Sequence, residues 1–175
     1  MGSEMCIRDR ICGIECARYA VLAGNFLDAG SAKALGLLTH LVDPSAVKET
    51  LASIASQGKP SDKYPSGPAD SDHPIVSFAT SFYSENNVSS LLSGGVPSGF
   101  DVEDKIVSRQ LKSLSRAAPI ALSMASNLLD VATRSDLESG LEEELEKLHE
   151  IFGTADALEG LSSLIEGRRP DYVNG

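Results

Sequence analysis

The stretch from Thr154 to Pro170 reads TADALEGLSSLIEGRRP, and it decides the fold expected for this chain. Thr154 is of a residue type that caps helix N-termini, and Asp156 would lie in the first turn, where the helix dipole favours an anion. The apolar residues that follow recur every three or four positions, as on one face of a helix. The stretch therefore predicts a capped amphipathic helix that ends in an exposed basic pair, Arg168 and Arg169.

The residues upstream of this stretch predict further helices. Pro119 is suited to the first turn of one helix, and residues 135–138 (Ser-Asp-Leu-Glu) form a capping-box pattern before the next. We expect that next helix to bury Leu137, Leu141, Leu145, Leu148 and Phe152. We expect its four clustered acids to face solvent, as charge runs usually do; they are Glu142, Glu143, Glu144 and Glu146.

The first half of the chain is less regular. Residues 37–42 (LLTHLV) form a short apolar run and give the one convincing strand, whereas residues 57–74 are rich in Pro, Gly and Ser and predict a linker or surface loop. Residues 5–10 (MCIRDR) show neither helical nor strand periodicity and resemble a translated sequencing adapter, so residues 1–10 are interpreted as a non-native extension. The fold class expected is mainly α with one short strand near 37–42.

Composition and charge argue against several classes of protein and site. At 175 residues the chain fits one domain, and its net charge of −10 argues against binding to nucleic acid. No apolar run of about 18 residues is present, so no membrane span is expected, and with no apolar leader the expected location is cytoplasmic. Three clustered cysteines, an odd number, predict neither a disulfide framework nor, without further ligands nearby, a metal site; they are Cys6, Cys12 and Cys16.

The stretch from Thr154 to Pro170 closely resembles the C-terminal signature of the crotonase superfamily, the enoyl-CoA hydratases and isomerases, with the order T-x-D-A-x-E-G-x-x-x-F-x-x-K-R-x-P. Residues 19–38 and 119–127 are similar to two further segments of that family. The resemblance covers residues 11 to about 55 and 106–170. It is strongest to the hydratase domain of archaeal-type proteins that fuse it to a 3-hydroxyacyl-CoA dehydrogenase.

The resemblance implies a fold and a division of the chain. The fold would be the C-terminal helical portion of a crotonase (ClpP/crotonase-like) α/β fold. Residues 11–56 would be the end of the crotonase core and residues 75–170 a C-terminal helical region of the trimerisation type. Residues 57–74 would form a linker or surface loop, and the central stretch of roughly 57–99 would be an insertion relative to a standard hydratase.

The resemblance also implies a function for the parent protein. A hydratase adds water to trans-2-enoyl-CoA thioesters in fatty-acid β-oxidation, with two backbone amides holding the thioester oxygen and two glutamates handling the water. In the family these groups precede the segment that Ile11 begins, so no catalytic residue is assigned here and the fragment alone is expected to be inactive. Contact with CoA is implied for Arg168, Arg169 and Leu164, although Leu164 replaces the family's aromatic residue and Gly167 its lysine.

The resemblance also implies partners for the parent protein, and the function has alternatives. The parent would take an acyl-CoA substrate and form a trimer-type homo-oligomer, and NAD would be a cofactor only if the parent carries the dehydrogenase domain. Two alternatives remain: a helical assembly module without catalysis, or a relative of the 3-hydroxyisobutyryl-CoA hydrolases or enoyl-CoA isomerases.

Overall fold

The computed structural model describes residues 5–24, 26–57 and 67–173, and within these ranges the chain is mainly helical, without a β-strand. The helices are α1 (Met5–Cys12), α2 (Ile14–Leu22), α3 (Ala29–Ala34), α4 (Val47–Gln57), α5 (Pro74–Phe82), α6 (Glu85–Leu92), α7 (Lys105–Leu114), α8 (Pro119–Ala132), α9 (Leu137–Phe152) and α10 (Ala155–Glu166). A 3₁₀ turn at Pro44–Ala46 precedes α4.

The core lies where α2 meets α1, α5 and α8. Five aromatic rings form a connected cluster there, and the Phe82 and Phe100 rings stand edge to face with centroids 4.9 Å apart. Such pairs stabilise a core beyond the area they bury. The other members of the cluster are Tyr19, Phe78 and Tyr83. Helix α9 packs on α1 and α8 at the edge of this core, and α10 has little contact beyond α9.

A buried arginine joins three helices within the core. Arg18 is only 1% exposed, and its Nη2 donates to Asp130 at 2.7 Å and to Glu85 at 2.9 Å. Burial lowers the pKa of Arg18, but the hydrogen bonds to the two carboxylates outweigh it and raise the pKa overall. The side chain therefore remains charged while it links α2 to α6 and α8.

Two predicted helix starts are confirmed and one is wrong. Pro119 opens α8 and Thr154 caps α10 as expected. The capping box at residues 135–138 does not form: Asp136 caps α9 by accepting from the Ser139 N–H at 2.9 Å. The Ser135 hydroxyl instead donates to the Val131 carbonyl at the end of α8, so it cannot serve α9.

The strand expected at residues 37–42 is wrong. Gly36, with φ of 82°, ends α3, and the Leu37 N–H donates to the Ala32 carbonyl at 2.9 Å, which uses the first amide of the run to close the helix. Beyond it the chain is irregular, and Leu41 is 52% exposed. A strand needs a neighbour for its ladder, and the described residues supply none.

Residues 5–10, for which no periodicity was found, belong to α1, which packs on α2, α8 and α9 and buries Cys6 completely. Most of the expected linker, residues 58–66, lies outside the described residues. Its end is tied to the helices, because Gly67 N–H donates to the Ile11 carbonyl and Asp70 N–H to that of Ala34. The domain boundaries stay a prediction.

Candidate functional site

The C-terminal tail folds back along α10. That helix ends at Gly167, whose φ of 67° is left-handed, and the Arg168 N–H then donates to the Ser163 carbonyl. Two acids on α10 hold the tail through backbone amides: Glu159 accepts from Asp171 at 2.7 Å and Asp156 accepts from Val173 at 2.7 Å. The tail is therefore docked on the helix by hydrogen bonds from Arg168 to Val173.

Arg168, the first predicted CoA contact, is engaged by carboxylates of α10. Its Nη1 and Nη2 lie 2.5 and 2.7 Å from the two carboxylate oxygens of Glu159, a bidentate pair, and its Nε lies 2.5 Å from Glu166. These bonds raise the pKa of Arg168 and lower the pKa of Glu159 to about 2. The guanidinium is occupied on both donor edges, so it holds the tail rather than presenting itself to a phosphate.

Arg169 and Leu164, the other predicted contacts, do not converge with Arg168. Leu164 is 77% exposed on the outer side of α10. Arg169 is exposed and forms no ion pair within the part of the chain that the structure describes. It lines a groove of about 480 Å³ between the tail and the α7–α8 turn, together with Ser115, Arg116, Pro119, Asp171 and Tyr172.

Arg116 is the residue of this groove that sequence reasoning missed. It lies in the turn between α7 and α8, and its N–H donates to the Ser113 carbonyl at 3.2 Å. Nothing in the local sequence pairs it with Arg169, because only the fold-back of the tail brings the two onto one groove. The sequence signal available for it was an arginine in a short turn before Pro119, where a side chain is expected to be exposed.

Helix α10 has its apolar side outward. Asp156 is 2% exposed and Ser163 is buried as well, while Ile165 is 87% exposed. The tail covers the polar side, and a Cβ at Gly160 would lie 3.4 Å from the Tyr172 hydroxyl. We name the exposed large apolar residues of this helix the α10 apolar face; they are Leu158, Leu161, Leu164 and Ile165.

Helix α9 also contradicts its expected burial. Leu137, Leu145, Leu148 and Phe152 are exposed and Leu141 is half-buried, so the prediction of a buried leucine stripe is wrong. The buried residues of α9 are Gly140 and Glu144. A Cβ at Gly140 would lie 3.2 Å from the Cys6 Cβ, so glycine allows α1 to approach closely at this point. The side of α9 that is buried against α1 is therefore the one with Gly140 and Glu144, which lies beside the leucine stripe.

Glu144 is the exception to the expectation that the acidic run faces solvent. Its side chain is 2% exposed, and Oε1 accepts the Cys6 N–H at 2.6 Å, whereas Glu142 and Glu146 are exposed as predicted. Burial, hydrogen bonding to Glu144 and the Glu144 charge together raise the pKa of the Cys6 thiol to about 12. The thiol therefore stays protonated and is a poor nucleophile.

The remaining groups with catalytic potential are dispersed or engaged. His73 caps α5, while His40 and His149 are exposed elsewhere. Glu143 and Glu150 line an open, mostly apolar groove of about 360 Å³ between α8 and α9, but Lys147 donates to Glu150 at 2.6 Å. Within residues 5–24, 26–57 and 67–173, no group of three His, Cys, Asp or Glu side chains is placed to hold a metal ion.

Comparison with protein-family models, curated proteins and solved structures finds no match to this chain. Among the helices that the structure describes, none combines the length and the hydropathy needed to cross a bilayer.

Proposed function

We propose that this chain is the C-terminal helical part of an enoyl-CoA hydratase domain. The parent would hydrate trans-2-enoyl-CoA thioesters to 3-hydroxyacyl-CoA in β-oxidation, joined to an NAD-linked 3-hydroxyacyl-CoA dehydrogenase. The motif resemblance at residues 154–170 motivates the proposal. In the parent the enolate-stabilising amides and the acid pair would belong to polypeptide upstream of Ile11.

The observation that carries the proposal is the outward orientation of the α10 apolar face. Four large aliphatic side chains on one helix are exposed while Asp156 and Ser163 are buried, and three leucines of α9 are exposed as well. Contiguous exposed apolar surface marks a region that packs on another surface. A scaffold whose remaining core or sister subunits lie elsewhere accounts for this arrangement.

The test compares this chain with a longer reading frame. The 175-residue chain is expected to leave crotonyl-CoA unchanged, and the product that includes the upstream frame is expected to hydrate it, as measured by loss of the enoyl-thioester absorbance. Hydration by the 175-residue chain would overturn the placement of the reaction centre upstream. A longer product without activity on any enoyl-CoA would overturn the hydratase assignment.

The second candidate is a helical assembly module without catalysis, and the same exposed surface favours it. A module would use the α10 apolar face to bind sister copies in a closed oligomer. Light scattering coupled to size-exclusion chromatography distinguishes the two, since a module gives one discrete oligomer. A truncated enzyme gives a heterogeneous distribution.

A further inference from the structure

We propose that the groove between the α7–α8 turn and the C-terminal tail binds a phosphate-bearing small molecule through Arg116 and Arg169. The groove, about 480 Å³, is in the size range of small-ligand sites. Guanidinium groups match the geometry of phosphate oxygens and bind them through charge-assisted, bidentate hydrogen bonds. This inference stands whether or not the parent acts on CoA thioesters.

Both arginines are available for an external anion. Three other cations of the described chain are engaged by carboxylates: Arg168 by Glu159, Lys147 by Glu150, and Arg18 by two acids in the core. Arg116 and Arg169 form no ion pair with any described carboxylate. In a chain with 25 acidic and 15 basic residues, two unpaired arginines on one groove form a local excess of positive charge.

The groove is held in shape by contacts outside it. The Asp171 amide bound to Glu159 and the Val173 amide bound to Asp156 fix the tail on either side of Tyr172, and Arg168 fixes it just before Arg169. On the other wall, backbone bonds from Arg116 and Ala117 close the turn after α7. Arg168 is thus a positioning residue, and a bound anion would meet two side chains carried on fixed backbone.

One acidic residue of the groove is expected to weaken the binding of an anion. Asp171 also lines the groove, and its carboxylate repels an anion there. Its backbone N–H, not its side chain, holds the tail, so Asp171→Asn removes the charge and keeps the fold-back. This residue gives the test a variant that should bind more tightly.

Calorimetric titration of the full 175-residue chain with inorganic pyrophosphate at low salt tests the proposal. We expect saturable one-to-one binding, weakened about tenfold by Arg116→Ala or Arg169→Ala, the loss expected when one charge-assisted contact is removed. Asp171→Asn should strengthen binding, and Arg109→Ala, which removes an exposed arginine on α7, should leave it unchanged. Thermal unfolding of each variant checks that it is folded.

Three outcomes would overturn the proposal. They are the absence of saturable binding to the unaltered chain, equal losses from Arg109→Ala and Arg116→Ala, and binding of citrate as tight as that of pyrophosphate. If an alanine variant fails to fold, the lysine variants Arg116→Lys and Arg169→Lys are titrated instead. Lysine keeps the charge but cannot form the bidentate contact, so unchanged affinity in both lysine variants would also contradict the proposal.

Discussion

The Glu144 carboxylate accepts the Cys6 backbone N–H at 2.6 Å, and this bond joins the middle of α9 to the first turn of α1. Cys6 is fully buried, and Glu144 is nearly so. An orphan N–H at a helix start is satisfied by an acid from another helix, where the positive end of the helix dipole favours an anion. The second oxygen, Oε2, is buried without a hydrogen-bond partner among the described residues, so the bond has a desolvation cost.

Glu144→Ala should therefore lower the free energy of unfolding by about 1–3 kcal/mol, because the Cys6 N–H would be left buried and unsatisfied. Glu144→Gln keeps an acceptor and removes the buried charge, so it should be at least as stable as the unaltered chain at neutral pH. Urea unfolding monitored by circular dichroism measures both. Glu142→Ala, an exposed neighbour, is the control and should change little; an equal loss there would contradict the role given to Glu144.

Local sequence signals predicted which residues form several helices but not which sides of them are buried. Thr154 and Pro119 mark the starts of α10 and α8 because capping and fixed φ act within a few residues. Periodicity finds an apolar side of a helix without saying what covers it. In α9 the approach of α1 at Gly140 decides burial, a contact between residues far apart in sequence. The groove at Arg116 depends in the same way on a tail that folds back from the other end of the chain.

Polar substitution on the α10 apolar face should leave this chain folded. Leu164→Ser combined with Ile165→Ser removes two largely exposed side chains, so the free energy of unfolding should change by no more than about 1 kcal/mol, as for surface sites. Self-association, measured by light scattering, should fall. Leu129→Ala is the contrasting variant: Leu129 is fully buried, and its truncation should cost about 2–5 kcal/mol. Unfolding by the serine pair would show that the face packs within the chain.

Acid should release the C-terminal tail. The pKa of Glu159 is lowered from 4.5 to about 2 by its hydrogen bonds from Arg168 and Asp171, so its ionised form favours the docked tail. That contribution is fully present above pH 4.5 and is lost as the pH falls from 4.5 towards 2. Nuclear magnetic resonance of the Asp171 and Val173 amides should report undocking in that window. Glu159→Gln should loosen the tail already at neutral pH, whereas Glu142→Gln should not; identical titrations in both variants would contradict the assignment.

The three thiols should be unreactive in the folded chain. Burial is the first cause that raises the pKa of Cys6 and Cys12 to about 12 and that of Cys16 to about 11, so very little thiolate exists at pH 8. Cys12 also donates from its Sγ to the Arg8 carbonyl at 3.1 Å within α1. Labelling with a thiol-specific disulfide reagent should be slow in buffer and complete in concentrated urea. Rapid labelling of Cys6 alone in buffer would mean that α1 detaches from α9. In that case Cys6 should be labelled at the same rate in the Glu144→Ala variant and in the unaltered chain. If α1 is docked as described, Glu144→Ala should instead label Cys6 faster, because the bond that holds the first turn of α1 is gone.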